Sequence, residues 1–152
     1  MFIKHGFTLI ELLIVLLIIS ITSTAILLSI NRHQDTLKPF AETLLENLTF
    51  AQEKALLQAK TLGVLFKKDR YLLVKPQISK TRAIQWIPMQ DQDFQPVSIP
   101  KEITFSLTFK HVLVADSRGM FPPFTITLRQ QAACYRLTNR VNGRVLLQGG
   151  CA

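Results

Sequence analysis

The sequence has little of what catalysis uses. Its three histidines, His5, His33 and His111, lie far apart with no nucleophile pattern beside them. There is no glycine-rich phosphate loop and no pair of carboxylates at a spacing suited to acid–base chemistry. These absences argue against an enzyme and leave neither a catalytic residue nor a cofactor to name. The two cysteines, Cys134 and Cys151, stand 17 positions apart without a nearby histidine, which is not the spacing of a metal centre. No internal repeat and no low-complexity run is found. Acid is also unevenly spread: beyond Asp116 the chain has Arg118, Arg129, Arg136, Arg140 and Arg144 and no acidic side chain.

Charge is scarcest near the start. Phe7 to Ile30 is a run of 24 residues with one charge, Glu11. At about 1.5 Å per residue, a helix of that length crosses a hydrocarbon layer of roughly 30 Å. Serines and threonines between Ser20 and Ser29 can bond back to helix carbonyls, so no backbone group need stay bare in lipid. A carboxylate inside such a helix costs about 2.5–3.5 kcal/mol and calls for a partner. An ordinary secretory signal, cut at the small residues Ser23 and Ala25, fits worse, because the apolar run is too long and carries Glu11.

About 120 residues follow, enough for one soluble domain with one core. The formal charge of +8 becomes +7 for a chain starting at Phe7, since Lys4 is lost. This permits contact with nucleic acid or anionic lipid without selecting either.

Residues 37–60 keep a helical period. Leu37, Phe40, Leu44, Leu45, Leu48, Ala51, Ala55, Leu56 and Ala59 form an apolar stripe opposite Glu42, Glu46, Gln52, Glu53, Lys54 and Gln58. Pro39 predicts a kink or a fresh start. After Gly63 the period becomes two. Residues 62–66 and 71–75 around the polar turn Lys67-Lys68-Asp69-Arg70 predict a hairpin. A short strand is expected at Ile84–Ile87, a half-buried one at Ile103–Phe109, and others at 111–115 and 124–128.

Asn142-Gly143 is a strong hairpin signal, because both turn positions need positive φ. In a two-residue loop Val141 faces Arg144, and counting outward Cys134 faces Cys151 with Cα atoms about 4.5 Å apart. A disulfide there would stabilise by roughly 3 kcal/mol and implies an oxidising compartment, the periplasm or cell exterior. In that register Arg136 and Arg140 share a face with Cys134, while Arg144 points to the other.

The junction Gly6-Phe7-Thr8-Leu9-Ile10-Glu11, behind a leader with Lys4 and His5, resembles the class III signal of type IV pilins and type II secretion pseudopilins. The resemblance implies prepilin peptidase cleavage between Gly6 and Phe7, N-methylation of Phe7, and a role for Glu11 in assembly. It gives an order of leader (1–6), transmembrane or filament-core helix (7–30), amphipathic continuation (31–61) and β-sheet domain (62–152). The fold class expected is α+β, pilin-like, with a long N-terminal helix packed on antiparallel sheet.

The helix around Phe50-Ala51-Gln52-Glu53-Lys54-Ala55, the Phe105 strand, Ser117-Arg118-Gly119 and Asn142-Gly143-Arg144-Val145 with its terminal cysteine resemble the GspH/FimT family. Two features depart from that family's pattern: the first proline after the junction is Pro39, and Leu146 stands where some members have a second basic residue. The resemblance implies a minor pilin or pseudopilin at or near the tip of a type II secretion pseudopilus or a type IV pilus. Its partners would be other pilins, prepilin peptidase and the inner-membrane assembly platform. It would be a single-pass inner-membrane protein with its C-terminal domain in the periplasm. The alternative is a minor pilin that binds DNA for natural transformation, through Arg136, Arg140 and Arg144 and a second basic region with Lys67, Lys68 and Arg70.

Overall fold

The structure, a computed structural model, describes residues 8–30 (21–30 as backbone only), 36–90, 92, 94–140 and 142–151. It divides into two compact units, residues 1–35 and 36–152.

The first unit contains α1, Leu9–Ile30. Thr8 starts it by accepting from the N–H groups of Glu11 (3.0 Å) and Leu12 (3.3 Å). Side chains from Leu9 to Ile19 are exposed all the way round, and Ser20 Oγ donates to Leu16 O (2.8 Å). A helix apolar on every side is one built for apolar surroundings. Among the described residues no helix is long and apolar enough to cross a membrane; the side chains of 21–30 and residue Phe7 lie outside them.

The second unit is the body. It opens with α2, Leu37–Gln58, whose first backbone bond runs from Phe40 N–H to Thr36 O (3.2 Å). Pro39 sits in the first turn, where its missing N–H would have no helical partner anyway. Leu37, Phe40, Ala41, Leu44, Leu48, Ala51 and Ala55 are buried. The expected stripe ran further. Leu56 is 56% exposed, because one helical step of about 100° from the buried Ala55 carries it off the stripe, and Ala59 lies past the helix end in the left-handed region, φ +48°.

Two antiparallel sheets follow, both lined by α2. The strands are β1 Leu62–Phe66, β2 Arg70–Ile78, β3 Ile84–Pro88, β4 Val97–Ser98, β5 Thr104–Leu107, β6 Val112–Ala115, β7 Thr125–Gln130, β8 Ala133–Asn139 and β9 Val145–Gly149. The first sheet has the order β3-β2-β1-β6, with β4 also on β2, and the second β5-β7-β8-β9. Period-two alternation sends Leu62, Val64, Phe66, Tyr71, Leu73, Leu113 and Ala115 inward from the first sheet, and Ile126, Leu128 and Leu137 from the second. The Phe66 ring joins the two, lying 6.5 Å from Phe105 and 5.7 Å from Phe109. Among the described residues every buried member of this core comes from residue 37 onward, so the body carries a core of its own.

Candidate functional site

Gly6 and Phe7 lie outside the described residues. Glu11 occupies the first turn of α1, exposed among apolar neighbours that are exposed as well.

The C-terminal hairpin joins Cys134 to Cys151, with Cα atoms 5.6 Å apart, but not in the expected register. Asn142-Gly143 is not a two-residue turn. Arg140 N–H donates to Arg144 O (3.0 Å) and Gly143 N–H to Arg140 O (2.8 Å). The loop therefore holds three residues, and Gly143, at φ +79°, is the left-handed bulge residue that closes it. Val141, expected to face Arg144, lies outside the described residues. Asn139 pairs with Val145 and Tyr135 with Gly149, one residue away from the two-residue register. Cys151 still reaches Cys134 because a second offset cancels the first. Gly150 N–H donates to Cys134 O (2.8 Å), and Gly150 itself turns outward at φ +83°.

A slip of one residue moves a whole strand's side chains to the opposite face. Arg144 thus lies across from Arg140, and shares a face with Arg136, contrary to the expected split. Arg129 joins them, since β7 pairs it with Cys134 and pairs Thr127 with Arg136. The outer face of the second sheet's two central strands is therefore mostly threonine and arginine, Thr125, Thr127 and Arg129 on β7 and Arg136, Thr138 and Arg140 along β8, flanked by Thr104 and Ser106 on β5 and by Leu146 and Gln148 on β9. Arg129, Arg140 and Arg144 are exposed and Arg136 half-buried. Among the described residues none of these four arginines forms an ion pair.

Lys67, Lys68 and Arg70 belong to the β1–β2 turn of the other sheet and are not part of this face. Arg70 Nη2 meets Asp69 Oδ2 at 2.9 Å, a hydrogen bond that holds the Asp69 carboxyl below its usual range and raises Arg70. That pair neutralises part of the second basic region.

The turns at Gly119 and Gly143 meet at one side chain. Gln52 Nε2 donates to Gly119 O (2.9 Å) and to Gly143 O (2.8 Å). Gly119, φ +72°, leaves no room for a Cβ, which would stand 2.6 Å from Gln52 O. Next to it, Asp116 Oδ1 accepts from the backbone N–H groups of Met120 and Arg118 (both 2.9 Å), and Oδ2 accepts from Arg118 Nη2 (2.8 Å). These bonds, the Met120 one foremost, hold the Asp116 carboxyl below its ordinary value. A cleft of about 400 Å³ opens here, lined by Gln52, Glu53, Arg118, Met120 and Arg144. Sequence spacing pointed to the two turns but gave no sign that Gln52 ties them together.

Known proteins place these features. The model of the prokaryotic N-terminal methylation motif matches residues 1–27. No match to a curated protein was found. Among solved structures, the minor pseudopilin EpsH of the type 2 secretion system of Vibrio cholerae aligns with TM-score 0.60 at 19% identity, covering 76% of this chain and 98% of that one. The type IV minor pilin FimU of Pseudomonas aeruginosa aligns with TM-score 0.57 at 16% identity, covering 76% of this chain and 90% of that one. The chain therefore opens with the N-terminal methylation motif of prepilin-like proteins and has the fold of a minor pseudopilin.

Proposed function

We propose that this chain is a minor pilin or pseudopilin, a structural subunit of a type II secretion pseudopilus or a type IV pilus, placed at or near the filament tip. Prepilin peptidase cuts between Gly6 and Phe7, and the new terminal Phe7 is N-methylated. Residues 7–30 span the inner membrane once, with the body in the periplasm, until the assembly platform moves the subunit into the filament among other pilins. The observation that carries this is the joining of the methylation motif, with Glu11 at the head of a helix apolar all round, to a body of minor-pseudopilin fold. An amine freed in apolar surroundings needs a compensating charge, and Glu11 of a neighbouring subunit would supply it.

Co-expression with a prepilin peptidase, followed by mass spectrometry of the N-terminal peptide, tests the reading. The expected product begins at N-methylated Phe7. A Glu11→Ala chain should be cut normally yet be scarce in sheared filaments. Uncut chain, or normal incorporation of the variant, would sink the proposal.

A second reading, DNA binding for natural transformation, is favoured by one specific observation. Arg140 and Arg144 lie directly across a hairpin, a like-charge pairing that costs stability in the absence of an anion, with Arg136 and Arg129 on the same face. Arginines so placed suit phosphates rather than base edges. Residues 36–152 titrated with double-stranded DNA through a salt series should show micromolar binding that weakens steeply with salt. Replacing Arg136, Arg140 and Arg144 by Gln should abolish it, and absence of binding at low salt would end this reading.

A further inference from the structure

The β2–β3 hairpin outruns its sheet. β1 pairs with β2 only as far as Val74, whereas β2 and β3 continue to the pair Ile78–Ile84. Past Lys75 the ribbon is two strands wide. Alternation puts Pro76, Ile78, Ile84 and Trp86 on one side and Gln77 and Gln85 on the other. Ile78 is 77% exposed and Ile84, directly opposite, 66%. Inward of them the half-buried Trp86 ring lies over Gly63, where a Cβ would stand 3.1 Å from Cζ3. At the tip, Ser79 N–H donates to Ala83 O and Arg82 N–H to Ser79 O (both 2.9 Å), a loop that presents Lys80 and Arg82. From Tyr71 to Gln90 the sequence has three basic side chains, Lys75, Lys80 and Arg82, and no acidic one.

This combination selects its occupant. Two isoleucines at the end of a narrow ribbon fall far short of the roughly 800 Å² per partner that a stable protein interface buries. They are enough for a bilayer surface, where aliphatic side chains enter the acyl boundary, an indole rests at headgroup level and cations meet phosphates. We propose that the β2–β3 hairpin is a membrane-surface contact, which lays Ile78 and Ile84 into the boundary of an anionic bilayer with Lys80 and Arg82 against lipid phosphates. This contact is separate from the span assigned to residues 7–30. It can therefore fail while that assignment stands.

The body, residues 36–152, is mixed with vesicles of equal parts phosphatidylglycerol and phosphatidylcholine, and with phosphatidylcholine alone. Trp86 is the one tryptophan in the chain, so its emission reports on the hairpin directly. The anionic vesicles should pellet the protein and shift Trp86 emission to the blue. Phosphatidylcholine vesicles, or a Lys80→Gln, Arg82→Gln body, should bind roughly tenfold more weakly or worse. An Ile78→Ser, Ile84→Ser body with unchanged melting temperature should lose the blue shift and at least roughly tenfold in binding. No pelleting with anionic vesicles overturns the proposal. So does binding that survives the isoleucine changes and disappears with Arg136, Arg140 and Arg144 changed to Gln, which would assign the lipid contact to the arginine face. Self-association through the isoleucines without vesicles, seen by light scattering, overturns it too and marks a protein–protein surface.

Discussion

The two sheets of the body share one inner environment and have opposite outer ones. Inside, both present fully buried aliphatics to α2, Leu73 from the first and Leu137 from the second. Outside, the central strands of the second sheet carry threonine and arginine, the arginines without an ion pair among the described residues, whereas the first has half-buried Leu65, Val112 and Val114, buried Leu72 and Val74, and Trp86, and ends in two exposed isoleucines. The inner faces answer to packing alone, so they are alike. The outer faces are not constrained by the core, and they are where the chain distinguishes one side of itself from the other.

The sharpest way to break this comparison is to truncate the shared inside. Leu73→Ala and Leu137→Ala should each cost about 2–5 kcal/mol and lower the melting temperature by similar amounts in one cooperative transition. Two separate transitions would mean that the sheets are independent units. An outer change such as Arg136→Gln should stay within about 0.5 kcal/mol.

Alkaline pH probes the same interior. Tyr71 is fully buried, its hydroxyl accepts from Asn47 Nδ2 (2.8 Å), and burial pushes its pKa up to about 12. An unfolded tyrosine ionises near pH 10. The folded-state pKa is the raised one, so this contribution is intact below about pH 10 and is lost between about pH 10 and 12, by about 3 kcal/mol. Denaturant titrations of the wild type and Tyr71→Phe at several pH values should show the slope in the first and not in the second.

Smaller effects sharpen the outer contrast. Gly63→Ala places a Cβ 2.8 Å from Val112 Cγ1 and close under the Trp86 ring. It should cost about 1–3 kcal/mol and shift Trp86 emission to the red as the ring lifts. The two hairpin tips form the same three-residue loop, with Gly143 at φ +79° in one and Arg82 at φ +61° in the other. Gly143→Ala should destabilise by about 1–3 kcal/mol, because of its backbone and because a Cβ there stands 2.5 Å from Met120 Sδ. Arg82→Gly, which relieves a strained side chain at the cost of a looser unfolded chain, should change the melting midpoint by less than about 1 kcal/mol equivalent.

Most of the elements were legible because their periods are local. The α2 stripe, the β1–β2 hairpin and the short strand at residues 84–88 follow from spacing alone. The division into two sheets was not, since the β1–β6 and β5–β7 pairings join segments with no local signal for one another. At the C-terminus, Asn-Gly announces a hairpin but not whether its loop holds two residues or three, and that single residue decides which way Arg144 points. The register that a two-residue loop gives is not the one the molecule uses, and Cys134 still meets Cys151 because the turn at Gly150 restores the count. Ala59 falls outside the stripe because the helix end is set by its left-handed cap, which apolar spacing does not encode, and Leu56 because it stands one step of about 100° round from Ala55.

Gln52 bears on the order in which the body assembles. Its two acceptors lie 67 and 91 positions further along the chain. A contact of such separation meets its loop-closure cost most readily once the intervening strands have paired and shortened the loop. The junction of α2 with the two glycine turns is thus expected to form late in folding and to open early in unfolding. In a chevron, Gln52→Ala should raise the unfolding rates and leave the folding limb where it was.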